Sequence, residues 1–236
     1  ANDATVTVGY TQNSTSSSQL KDAPGNAVAT LSSAASVTVT NDATVPTVSN
    51  VTSSSTDATY KIGDTVNVQV VFSEAVAVTT ASGTPQLTLE TGTSDRAVSY
   101  SSGSGSDTLV FAYTVQSGDV SSDLDFKATT SLALNGGSIK DLAGNTATTT
   151  LVTPGATKSL AANKAIVIDG VLPTISSAAA TAGTKTVTLT MSEAVTGSHA
   201  VGDFSVLVGS ATNAATAVSV SGKSVTLTVT NVIAND

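Results

Sequence analysis

The sequence predicts an all-β protein of antiparallel sandwiches made from short strands, and three observations predict it. Apolar and polar residues alternate with period 2 in segment after segment. Clusters of Ser, Gly, Asn and Asp separate those segments. No stretch carries helical spacing over more than about two turns. In chain order, Thr5-Val6-Thr7-Val8 and Ser36-Val37-Thr38-Val39-Thr40 are β-branched alternations, each with one face to bury. Thr65-Val66-Asn67-Val68-Gln69-Val70 follows with the same pattern, then Gln86-Leu87-Thr88-Leu89. Ser101 to Asp107, Gly118-Asp119 and Asn135-Gly136-Gly137 are turns. Thr186-Val187-Thr188-Leu189 and Ser224-Val225-Thr226-Leu227-Thr228-Val229 return to strand alternation. Sandwiches bury one face of each such strand against a second sheet.

Composition narrows the function. The 236 residues include one histidine, no cysteine and no tryptophan, and aromatic residues make up 3% against a hydrophobic share of 40%. That length allows about two domains, each large enough to fold without staples, with cores filled by small aliphatic side chains. Nine basic residues against 17 acidic ones give a net charge of −8, which disfavours nucleic acid and anionic membrane surfaces as partners. No apolar run reaches the roughly 18 residues of a membrane helix, so no membrane insertion is expected. The lack of cysteine removes thiolate chemistry and disulfides and suits a bacterial surface protein. No signal peptide is visible, so the sequence reads as a processed or internal segment whose export is inferred. A Ser-His-Asp relay would need His199, which lies in the Gly/Ser turn Thr196-Gly197-Ser198-His199. The expectation is a protein that is not an enzyme.

The chain repeats itself. Asn41-Asp42-Ala43-Thr44-Val45-Pro46-Thr47 aligns with Ile168-Asp169-Gly170-Val171-Leu172-Pro173-Thr174. Val71-Phe72-Ser73-Glu74-Ala75-Val76 aligns with Thr190-Met191-Ser192-Glu193-Ala194-Val195, and Leu20-Lys21-Asp22-Ala23-Pro24-Gly25-Asn26 with Ile139-Lys140-Asp141-Leu142-Ala143-Gly144-Asn145. These markers divide the chain into the C-terminal half of a repeat (1–42), a complete domain (43–169) and the N-terminal half of a repeat (170–236). Two outer halves of that size would leave apolar faces and strand edges uncovered. The expectation is that 170–236 is completed by 1–42 of the next unit, head to tail. The completing partner is a separate copy or an adjacent repeat of the same polypeptide.

The Asp-x-x-x-Pro-Thr entry, the Phe-Ser-Glu-Ala-Val strand end and the Lys-Asp-x-x-Gly-Asn turn together resemble bacterial Ig-like tandem repeats of very large cell-surface proteins. Residues 171–236 followed by 1–42 are similar to the repeat of a giant cyanobacterial surface protein needed for swimming motility, and related repeats occur in RTX-type adhesins. The resemblance implies tandem Ig-like antiparallel β-sandwiches in an elongated array, extracellular and at the bacterial cell surface. It implies a stalk, filament or adhesin segment, often rigidified by calcium.

Acidic residues supply the candidate site. Of the three glutamates, Glu74 and Glu193 hold the same repeat position. A first strand leaving Pro46 and a second returning to Phe72 bring Glu74 back to the linker. The same reasoning carries the Asp22 turn to Asp42. Asp22, Asp42 and Glu74 are therefore expected to converge at one junction, and Asp141, Asp169 and Glu193 at the next. A hard cation such as Ca2+ would relieve the repulsion within each set and lock the linker. Without a metal, Asp22 and Asp141 read as Asx turns and the glutamates as solvated strand ends.

Other features carry less. Asn13-Ser14-Thr15 and Asn50-Val51-Thr52 fit the N-glycosylation pattern, as chance allows in a chain so rich in Ser and Thr. Alternation places no lysine inside for an isopeptide crosslink. Tyr10, Tyr60, Tyr100 and Tyr113 are scattered. The leading reading is a structural surface module. The alternative is an adhesin module that binds a glycan or another cell through its loops.

Overall fold

The computed structural model describes residues 4–8, 24, 35–39, 42–208 and 210–233. Two compact units make up the chain, Ala1–Asp169 and Gly170–Asp236. The protein is all-β with antiparallel sheets. Among the described residues the helical content is one four-residue α-helix and one 3-10 turn, Val201–Asp203. Among the described residues no helix is long and apolar enough to cross a membrane.

In the first unit, β1 (Ala4–Val8) and β2 (Ala35–Val39) form their own antiparallel ladder, Ala4 opposite Val39 and Val8 opposite Ala35. The sandwich begins with β3 (Val48–Ser53), β4 (Thr59–Lys61) and the 15-residue β5 (Thr65–Thr79). It continues with β6 (Gln86–Glu90), β7 (Arg96–Ser102) and β8 (Ser106–Thr114). Short strands follow: β9 (Val120–Ser121), β10 (Asp125–Phe126), β11 (Leu132–Ala133) and β12 (Ser138–Lys140). Helix α1 (Leu160–Asn163) and β13 (Val167–Asp169) close the unit.

Alternation translates directly into burial. Along β5, Val66, Val68, Val70 and Phe72 point inward while the residues between them are half-buried or exposed. They meet Leu87 and Leu89 of β6, Leu109, Phe111 and Tyr113 of β8, and Leu124, Phe126, Ile139, Leu160 and Ile166 from the later segments in one core. Two strands change partner midway. β5 pairs with β3 and β8 through its first half and with β12 at its end; β7 pairs with β6 through Ser99 and with β8 from Tyr100. The expected strand end near Phe72 is thus only the point where β5 bulges and exchanges partners.

Direction decides the two ends of this domain. β3 runs antiparallel to β5, Val48 opposite Phe72 and Ser53 opposite Val68, so the chain enters beside the Phe72 end. At the other end, Val115 donates to the Asp64 carbonyl and β13 lies parallel to β4, Asp169 opposite Lys61. The entry and exit levels are separated by the nine residue steps from Thr65 to Glu74, about 30 Å at the usual strand rise.

In the second unit, β14 (Ile175–Ala180), β15 (Thr186–Met191), β18 (Ala215–Ser221) and β19 (Ser224–Val229) form a sheet in the order β14-β15-β19-β18. The short hairpin β16 (Leu207–Val208) and β17 (Ala211–Thr212) stands apart from that sheet. Val225, Leu227 and Val229 are buried, whereas every residue of β14 is exposed.

Candidate metal centre

Three carboxylates converge in the first unit where the chain leads into β3. Asp42, Glu74 and Asp141 each place a carboxylate oxygen within 4.8 Å of the others. Glu74 owes its position to the irregular stretch of β5 between Val71 and Val76, where the β8 ladder is interrupted. A reciprocal clamp holds that stretch against the entry segment: Ser73 N–H donates to the Thr47 carbonyl (2.8 Å) and Thr47 N–H to Ser73 Oγ (3.1 Å). Glu74 follows directly and is fixed beside the linker.

Asp141 is supplied by the turn after β12. Asn145 N–H donates to its Oδ1 (2.8 Å) and Asn145 Nδ2 to its Oδ2 (2.7 Å). Gly144 occupies the left-handed region that this turn requires, at φ 97°. The same Asn145 amide donates to the carbonyls of Asp42 (3.0 Å) and Thr44 (3.2 Å), tying the turn to the entry segment. Asp42 Oδ1 accepts from Thr44 N–H (2.9 Å), an Asx turn. Asp141 is buried, Glu74 half-buried and Asp42 exposed, so the cluster opens to solvent on one side.

Electrostatics within the cluster pull in two directions. Burial raises the Glu74 carboxyl above the usual carboxylate range, and the charges of Asp42 and Asp141 add to the shift. For Asp141 burial acts upward, but the donors from Asn145 and neighbouring N–H groups outweigh it and hold the group below its usual value. Glu74 Oε1 is buried without a hydrogen-bond partner. A buried, unpaired carboxylate oxygen facing two other carboxylates suits a hard cation, which binds six to eight oxygens at about 2.3–2.6 Å.

This grouping differs from the one expected from the sequence. Asp42 and Glu74 meet as expected, but the third member is Asp141 of the same domain; Asp22 lies outside the described residues. Asp141 was expected beside Asp169, and that expectation is corrected. Asp169 lies in β13 at the opposite end, opposite Lys61 and Val120. The segment after Asn145 traverses the domain instead of folding back: Thr148 pairs with Thr47, Lys158 accepts from Val51, and β13 ends at the exit. Glu193 belongs to the second unit, where its Oε1 is likewise buried without a partner.

Two polar networks of the first unit carry more structure than their sequence context suggested. Asp119, read as turn punctuation, is 1% exposed and accepts from Arg96 Nε (2.7 Å), Tyr113 Oη (2.7 Å) and Gln116 N–H (2.9 Å). Arg96 is the only arginine of the sequence, and that uniqueness was the available signal. Buried Asp125 accepts from the backbone of Phe126, Gly155 and Leu160, fastening α1 to the core.

The remaining motifs find structural places. His199 is exposed and meets Phe204 edge to face. Asn50 Oδ1 accepts from Asn163 Nδ2 (2.8 Å) within the β3–α1 contact; Asn13 and Tyr10 lie outside the described residues. Tyr113 is core, Tyr100 stacks edge-on against Phe111, and Tyr60 donates to the Thr56 carbonyl. None of the described lysines is buried. Compared with known proteins, the chain matches no family model, no curated protein and no solved structure.

Proposed function

We propose that the chain is a structural module of an extracellular bacterial surface stalk or filament. In this reading it is an elongated array of Ig-like repeats, assembled head to tail and stiffened by calcium, and it is not a catalyst. The observation that carries the proposal is a duplication of backbone geometry. Thr174 and Ser192 exchange the same two hydrogen bonds as Thr47 and Ser73, at 2.9 and 2.7 Å. The register of β14 on β15 repeats that of β3 on β5, including the irregularity two residues into the first strand. A chain that rebuilds one entry device around each Pro-Thr is suited to serial repetition along an axis.

Calcium would be held by Asp42, Glu74 and Asp141, with backbone carbonyls and water completing an all-oxygen shell. Its role is mechanical: neutralising three carboxylates ties the entry segment, the β5 bulge and the β12 turn into one rigid corner. Titration calorimetry of the full chain with Ca2+, in parallel with Asp141→Asn, tests this. Saturable binding that the substitution removes is expected; equal heats from both proteins, or none from either, would overturn the assignment.

A further inference from the structure

Asn135 is the only asparagine of the sequence followed by glycine. Among the described residues it is also one of two non-glycine residues with positive φ, at 48°, and Gly136 follows at 84°. Gly137 N–H donates to the Leu134 carbonyl (2.8 Å), which makes Leu134 to Gly137 a tight turn with both central residues left-handed, the form that Asn-Gly favours. This turn joins β11 to β12. Beside it, the segment from Thr80 to Pro85 joins β5 to β6: Ala133 lies opposite Gln86, and Ser138 opposite Thr79.

The two connections interlock through their glycines. An added Cβ at Gly136 would lie 2.5 Å from the Ser82 carbonyl oxygen, and one at Gly137 would lie 2.5 Å from that of Gly83. Gly83 in turn faces the Asn135 carbonyl, and its N–H closes a turn on the Thr80 carbonyl (3.2 Å). The Asn135 side chain is tied down as well. Its Nδ2 donates to Gln86 Oε1 (2.8 Å), and Gln86 Nε2 donates to Ser99 Oγ (3.3 Å). Asn135 and Gly136 are nonetheless exposed to water.

A glycine after asparagine has no Cβ to shield its backbone nitrogen, and that nitrogen can attack the asparagine side chain. Gly136 N gives up its proton and bonds to Asn135 Cγ; the Cγ–Nδ2 bond breaks, the amide nitrogen leaves as ammonia, and a five-membered succinimide remains. Water then opens the ring. Cleavage between the nitrogen and Cγ gives aspartate on the original main chain. Cleavage between the nitrogen and the main-chain carbonyl carbon gives isoaspartate, whose main chain runs through Cβ and Cγ and is one methylene longer.

We infer that Asn135 is a site of spontaneous deamidation, held slow in the folded protein by its bond to Gln86 and by the glycine interlock, and that its conversion to isoaspartate unlocks the two connections irreversibly. The attack requires the side chain to leave Gln86 and the turn to open, so the rate follows local opening. Aspartate at this position is accommodated, because the Gln86 amide turns over and donates Nε2 to the new carboxylate. Isoaspartate is not. Its extra methylene lengthens a turn that has no room for one added carbon at Gly136 or Gly137, and its free carboxylate replaces the carbonyl that Gly83 packs against.

The full chain, incubated in mildly alkaline buffer and mapped by peptide mass spectrometry, tests the site; the same chain in urea and the variants Gln86→Ala and Gln86→Glu are followed in parallel. Deamidation at Asn135 is expected in all four, fastest in urea. Gln86→Ala removes one hydrogen bond and should raise the folded-state rate roughly fivefold, whereas Gln86→Glu keeps an acceptor and should stay near the native rate. An Asn135 that remains intact in the folded chain, one that deamidates as fast folded as in urea, or a Gln86→Ala rate equal to the native one overturns the inference. The isoaspartate chain, separated by chromatography, reads the consequence. Hydrogen exchange at the Gly83 and Gly137 N–H groups should quicken in it and stay native in Asn135→Asp. Equal protection in the isoaspartate and native chains overturns the unlocking, and lost protection in Asn135→Asp overturns its assignment to the lengthened main chain.

Discussion

Removal of the Asp119 carboxylate tests whether the first domain depends on a buried ion pair that its surface does not reveal. Asp119 is 1% exposed and pairs with Arg96, whose Nη2 approaches to 2.7 Å and whose side chain is 26% exposed. Asp119→Ala leaves the Tyr113 hydroxyl and part of a guanidinium without an acceptor. Breaking a buried pair by deleting one partner costs about 3–5 kcal/mol; the partial exposure of Arg96 places the expected loss near the lower bound, about 3 kcal/mol. At about 2–4 °C per kcal/mol for a protein of this size, the melting temperature should fall by about 6–12 °C. Urea unfolding followed by far-UV circular dichroism measures the loss directly, and the Arg96→Ala and double variants complete a cycle whose effects should not add. A loss below about 1 kcal/mol, the value of an exposed pair, would refute the reasoning.

The same network has a pH signature. Burial pushes the Asp119 carboxyl up, but the donors Arg96, Gln116 and Tyr113 outweigh it and leave the group below its usual value of 3.8. Because the folded value is the lower one, the stabilisation is complete above the unfolded value and disappears as pH falls through the folded one. The stability difference between the native chain and Asp119→Asn should therefore shrink in acid below that unfolded value. Tyr113 moves oppositely: burial, reinforced by the Asp119 carboxylate, pushes its hydroxyl up, so it stays protonated as a donor across the neutral range.

Three further outcomes are expected. Glu74→Gln should change sign with calcium. In EDTA at neutral pH it should stabilise the fold, because the raised Glu74 carboxyl favours folding only when protonated and that contribution is lost as pH rises through its folded value. In calcium at about 100 times the dissociation constant, the native chain should gain about 2.7 kcal/mol that the variant lacks; thermal melts in both buffers decide, and parallel behaviour sinks the site. Gly83→Ala should be far more costly than Gly105→Ala, because an added Cβ at Gly83 would lie 1.7 Å from the Asn135 carbonyl oxygen, whereas at Gly105 it meets nothing within 4 Å. The Gly105 change should cost about 1 kcal/mol of backbone strain, and equal losses in urea would contradict the packing argument. Asp125→Ala should cost about 2–3 kcal/mol by leaving buried N–H groups unpaired, with hydrogen exchange quickened first at Gly155 and Leu160; unchanged protection there would remove its fastening role.

Local chemistry made the strands legible. Alternation over 65–70, 86–89, 186–189 and 224–229 appears as β5, β6, β15 and β19 because a side-chain period of 2 places every second residue on one face regardless of the rest of the chain. The meeting of Asp42 with Glu74 was legible for a similar reason: β3 and β5 are successive antiparallel strands, so the second must return to where the first began. Asp141 and Asp119 were not legible. The turn around Asp141 announces its own hydrogen bonds, but its place beside Asp42 depends on Thr148 pairing with Thr47 and on Asn145 reaching back more than 100 residues. Asp119 looks like any Gly-Asp turn until β7 and β8 deliver Arg96 and Tyr113 to it. Sequence alone determined which residues could form strands, because that is a property of short segments. Only the tertiary structure decided which carboxylates share a corner and which are buried, because long-range pairing sets both.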